Sequence, residues 1–102
     1  MSKERMDELR RFYVKVLREI PVEVGRLPAW VPEARIDMDV VVVERGRVWL
    51  RRAFDSFAYA FYTSRPELIL KSLWALGVKR ALLIYGGRRE VVNLERLAKI
   101  KP

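Results

Sequence analysis

Residues 64–94 read SRPELILKSLWALGVKRALLIYGGRREVVNL and form one unit: a capped helix, a basic step, a strand, a tight turn and a last strand. Ser64 and Glu67 stand at capping-box spacing, with Pro66 in the first turn. Ile69, Leu73 and Leu76 recur at helical spacing, and Gly77 is placed to end the helix. Val78-Lys79-Arg80 then leads into Ala81–Tyr85, a short continuous apolar run that predicts a strand covered on both faces. Gly86-Gly87 is a hairpin signal, and Val91 to Leu94 predicts the final strand.

Lys3 to Ile20 also predicts a helix. Met6, Leu9, Tyr13, Leu17 and Ile20 form one stripe, and Glu4, Asp7 and Glu8 suit its N-terminus. Pro21 stops it. Pro21 to Ala34 holds three prolines and reads as an irregular connector, with Trp30 as a core or interface plug. From Arg35 the pattern turns to strands: β-branched Ile36–Val43, a turn at Glu44–Arg47, a return strand Val48–Phe54, and a third candidate at Ser56–Thr63. The expected class is α+β: an N-terminal helix, then a small mixed sheet with a helix. Residues 1–34 form a helix and Pro-rich connector, and residues 35–102 the α/β domain.

Composition narrows the chemistry. The 102 residues include no Cys and no His, so there is no disulfide, no thiolate metal site, and neither the commonest metal ligand nor the commonest general base. No cofactor is expected. Gln is absent, Asn93 is the single Asn, and Arg outnumbers Lys fifteen to six, a balance that suggests a thermophile. No apolar run approaches the ~20 residues of a membrane span, and Met1–Arg11 is too charged for a signal peptide. A cytosolic protein with no membrane partner is expected.

The net charge is +8, with +1 in residues 1–34 and +7 in residues 35–102. Arginine pairs at Arg51-Arg52 and Arg88-Arg89, together with Arg80, are candidate phosphate contacts for a nucleic acid. An Arg-rich thermophile surface would give the same charge. Asp37 and Asp39, two apart in a strand, are weak candidates for a Mg²⁺ site. A restriction-type nuclease would also want an acid and a lysine on the next strand, where this chain has Leu50-Arg51-Arg52. The bland alternative pairs both aspartates with neighbouring arginines.

From Asp39 to Pro102, about two thirds of the chain, the sequence resembles the C-terminal domain of archaeal tRNA-splicing endonucleases. Three places carry the likeness: Asp39–Val43 with the Glu44-Arg45-Gly46 turn; Asp55-Ser56-Phe57-Ala58-Tyr59; and Leu70–Pro102, with Gly77–Arg80 at the basic step. That family cleaves RNA without a metal through a Tyr, a His and a Lys, leaving a 2′,3′-cyclic phosphate. Val43, Asp55 and Arg80 stand in those places here, so the resemblance implies an inert copy with no catalytic residues of its own. It further implies the structural subunit of a crenarchaeal heterotetramer. Such a subunit would support a catalytic subunit on precursor tRNA at bulge-helix-bulge sites and pair through C-terminal strand residues Val91, Val92 and Leu94. The larger N-terminal domain of many relatives would be reduced here. A small Mg²⁺-dependent nuclease using Asp37 and Asp39, and a stand-alone basic nucleic-acid-binding protein, are the competing expectations.

Overall fold

The computed structural model describes residues 3–31 and 35–98. The end of the connector at Ala34 and the terminus at Lys101-Pro102 lie outside them. The elements are α1 (Lys3–Glu19), β1 (Val22–Gly25), β2 (Asp39–Glu44), β3 (Arg47–Arg51), β4 (Ala58–Phe61), α2 (Pro66–Ala75), β5 (Arg80–Tyr85), β6 (Arg88–Asn93) and α3 (Leu94–Ala98). They build an α+β fold around one six-stranded mixed sheet in the order β1-β4-β3-β2-β5-β6. All neighbours are antiparallel except β2 and β5, which run parallel with Asp39 opposite Ala81 and Val42 opposite Ile84. The parallel pair follows from α2, which carries the chain over one face of the sheet between β4 and β5.

Local chemistry explains most element ends. Gly77 takes a φ of +95°, its N–H donates to the Trp74 carbonyl (2.9 Å), and the Val78 N–H donates to the Leu73 carbonyl (3.0 Å). This is a Schellman stop, closed by Val78 packing on the core. Gly86 and Gly87, at φ +52° and +77°, form the two-residue turn between β5 and β6. The expected capping box at Ser64 does not form. Arg65 occupies the N-cap without a side-chain cap, its N–H donates to Thr63 Oγ1 (3.1 Å), and Glu67 is drawn to Arg65 Nε (2.8 Å). Pro66 at the first helical position sets the start one residue later than the box would.

The sheet has a core on each face. On the helix side, the α1 stripe of Met6, Leu9, Tyr13, Leu17 and Ile20 joins Val41, Val48, Leu50, Phe61, Ile69 and Leu73. The Ser72 hydroxyl ties α2 to α1, shared between the Leu68 and Tyr13 carbonyls (2.6 and 2.9 Å). Arg10 lies over the Trp74 ring at 5.0 Å. On the opposite face Val40, Val42, Trp49, Ala58, Ala60, Leu82 and Ile84 are covered by Leu27, Val31 and Met38.

Two elements depart from expectation. Val22–Gly25, inside the supposed irregular connector, forms an edge strand on β4, and Leu94–Ala98 forms a short helix. The division at residue 34 is therefore not a structural boundary: β1 completes the same sheet and α1 packs on α2. Trp30 is 51% exposed and no part of the core. No helix among the described residues is long and apolar enough to cross a membrane.

Candidate nucleic-acid interface

The register gathers the functional candidates at two opposite ends of the sheet. At one end lie the starts of β2, β4 and β5 and the ends of β1 and β3, with Arg26, Asp39, Arg51, Arg52, Asp55 and Arg80. At the other lie the β2–β3 and β5–β6 turns, with Arg45, Arg88 and Arg89.

The first end holds a cleft of about 830 Å³ between residues 35–37 and 54–57, with Leu27 and Arg51 in its wall. Its two sides are stapled together. Asp39 is buried, and both its oxygens are used: Oδ2 accepts from Arg52 Nε (2.9 Å) and Oδ1 from the Ala53 N–H (2.7 Å). Arg51 Nη2 donates to the Met38 carbonyl (3.0 Å) and to that of Arg35. The Phe54 N–H donates to the Ile36 carbonyl (2.7 Å). Arg35 grips Asp37 with Nε and Nη2 (3.3 and 3.2 Å), and this hydrogen bonding holds the Asp37 carboxyl below the usual carboxylate range. The folded-state value is lowered, so the clip is present above the unfolded value and is lost as pH falls through the folded one.

These pairings redistribute the sequence candidates. Asp37 and Asp39 are each matched by an arginine, as the bland alternative had it, and no group of three metal-type ligands occurs among the described residues. Arg51 is occupied as a backbone strap, with its buried Nε lacking a partner among the described residues, and Arg52 is held by Asp39. Arg80, level with Met38 by register, is exposed and forms no ion pair among the described residues, and the same holds for Arg26 beside Phe57.

Val43, Asp55 and Arg80 do not come together as a triad. Asp55 and Arg80 share the cleft end. Val43 lies five residues further along the strand direction from Arg80, roughly 16 Å away at ~3.3 Å per residue. The interface candidates also separate: Val91 is 50% exposed, Val92 packs on the helix-side core, and Leu94 is fully buried within its own chain. Leu94 is thus corrected from a partner contact to a core residue, because α3 turns it inward beneath β5.

What the sequence left unmarked is aromatic. Phe54 (73% exposed) and Phe57 (39%) flank Asp55-Ser56 at the cleft mouth, and Ile36 stands opposite (65%). Two large rings around a two-residue polar turn are the signal that could have found them. Phe54 also has φ +67°, a left-handed conformation that bulky residues avoid. Phe54→Gly is therefore expected to raise stability by about 0.5–1 kcal/mol in urea denaturation, since little burial is lost. An unchanged or lower midpoint would place no strain there.

At the far end, Glu44 accepts from Trp49 Nε1 and pairs with Arg47 (3.5 Å), whose guanidinium lies 5.1 Å over the Trp49 ring. A hydrogen bond with Glu23 pushes the nearby Tyr62 phenol up. Arg88 and Arg89 are exposed on β6, which among the described residues is an edge strand paired with β5 alone.

No protein-family model, curated protein or solved structure matches this chain.

Proposed function

We propose that this chain is a non-catalytic RNA-binding subunit of an RNA-processing assembly. Its specific form would be the structural subunit of a heterotetrameric tRNA-splicing endonuclease, acting in the cytosol on precursor tRNA. The observation that carries the RNA-binding part is the cleft end of the sheet: exposed Phe54 and Phe57 between Arg26 and Arg80, which form no ion pair among the described residues. Rings offer stacking surfaces to bases, and arginines offer charge to phosphates.

The non-catalytic part rests on chemistry. Metal-free RNA cleavage needs a base for the 2′-hydroxyl, an acid for the leaving oxygen and a cation for the transition state. The chain has no His, the three places corresponding to the family triad are split between sheet ends, and Val43 cannot move a proton. The Mg²⁺-nuclease reading is less favoured, because Asp39 is buried and hydrogen-bonded to Arg52 and the Ala53 N–H, and Asp37 is paired with Arg35. The splicing assignment is supported by the element order from Asp39 onward, strand-turn-strand-strand-helix-strand-turn-strand, and by β6, an edge strand among the described residues and of the kind a partner strand can extend.

The test combines the purified chain with an endonuclease subunit that carries an intact Tyr, His and Lys. Alone, the chain should leave a bulge-helix-bulge RNA uncut with or without Mg²⁺. Together, the two should co-elute and cut. Robust cleavage by the single chain contradicts the non-catalytic assignment, and failure to form a complex contradicts the splicing assignment.

A further inference from the structure

We infer that the cleft at Phe54 and Phe57 is a pocket for one unpaired guanine base of a single-stranded RNA. This deepens the RNA-binding reading above and rests on it. The cleft is poorly suited to phosphate. Of the arginines in its wall, Arg35 is taken by Asp37 and Arg51 by backbone carbonyls, while Asp55 adds a negative charge. It suits a base instead. Phe54 and Phe57 present ring surface to solvent, and Ile36 closes the opposite side with apolar surface. The strained backbone of Phe54, fixed by its N–H bond to Ile36, holds that ring out at the mouth and away from the core. An exposed aromatic kept in a costly conformation is the pattern of a residue retained for contact.

The polar groups then choose among bases. The Asp55 carboxylate and Ser56 hydroxyl make no side-chain hydrogen bond among the described residues, so the pocket offers unpaired acceptors between its two rings. Guanine alone of the four bases carries two adjacent donors, N1–H and the N2 amine, that a carboxylate can accept together. The flanking phosphates fall to Arg26, which shares a smaller depression with Ser56 and Phe57, and to Arg80 across the sheet.

The test measures fluorescence anisotropy of the full chain with the heptamers UUUGUUU, UUUAUUU, UUUIUUU (I, inosine, which lacks the N2 amine) and UUUUUUU at one salt concentration. The guanine heptamer should bind roughly tenfold tighter than the all-uridine one, an effect of the size of one stacked base, with inosine between them. Phe54→Ala and Phe57→Ala should each remove most of that advantage, weakening the guanine heptamer several-fold more than the all-uridine one. Asp55→Asn should erase the preference for guanine over inosine. Thermal melts of the three variants verify folding, and the Phe54→Gly chain supplies a ring-free version expected to be more stable than wild type. Equal binding of all four heptamers, or a guanine advantage that survives Phe54→Ala, overturns the pocket and leaves backbone binding intact. Binding of none overturns the RNA reading as well.

Discussion

Leu94→Asp is expected to unfold the chain. Leu94 is fully buried among the helix-side core residues, and its N–H donates to the Lys79 carbonyl (2.9 Å), anchoring the start of α3 beside β5. An aspartate there would bury a charge with no partner, at a cost of several kcal/mol. Native domains hold only about 5–15 kcal/mol in total. Circular dichroism should show loss of the cooperative melt. Val91→Asp, at a half-exposed position, should shift stability by no more than about 0.5 kcal/mol. The pair separates folding from assembly: the first variant fails alone, and the second folds but loses any partner strand on β6. A cooperative Leu94→Asp melt at the wild-type midpoint would place Leu94 outside the core.

Asp39→Ala should cost about 3 kcal/mol, the order expected when a buried carboxylate with two charge-assisted hydrogen bonds is removed. The loss releases Arg52 and the Ala53 N–H together, and with them the cleft's 51–57 side. Asp39→Asn should lose nearly as much, because an amide cannot accept from both donors and presents its own N–H₂ toward one of them. Urea denaturation reads the difference. Millimolar Mg²⁺ should leave the wild-type midpoint unchanged. A Mg²⁺-dependent midpoint that Asp39→Asn abolishes would restore the metal-site alternative.

The parts of the fold legible in sequence are those set by neighbours along the chain. The α1 stripe, the Gly77 stop and the Gly86-Gly87 turn all lie within a few residues of the groups that explain them, and each appears in the structure. β1 was hidden because its evidence lies elsewhere: Val22 pairs with Phe61 and Gly25 with Ala58, far along the chain, and three prolines nearby suggested a loop. α3 has five residues, too few for a helical period. At the site, Asp39 was ambiguous because its role is decided by Arg52, thirteen residues on. Arg51 and Arg52 read as phosphate contacts by charge alone, yet Arg51 holds backbone carbonyls and Arg52 holds Asp39. The conformation of Phe54 is imposed by Ile36 from another segment, which no local pattern announces.

RNA binding at the cleft end of the sheet, without cleavage, is the activity proposed for this chain. The most direct measurement is the salt dependence of RNA affinity for three proteins: wild type, Arg26→Ala/Arg80→Ala, and Arg88→Ala/Arg89→Ala. Each phosphate contact to a single strand contributes about −0.7 to the slope of log K against log salt. The cleft-end double variant should therefore flatten the wild-type slope by about 1.4, and by more than the far-end pair does, with the RNA recovered intact. An unchanged slope in the cleft-end variant, or RNA recovered as cyclic-phosphate fragments, would contradict it.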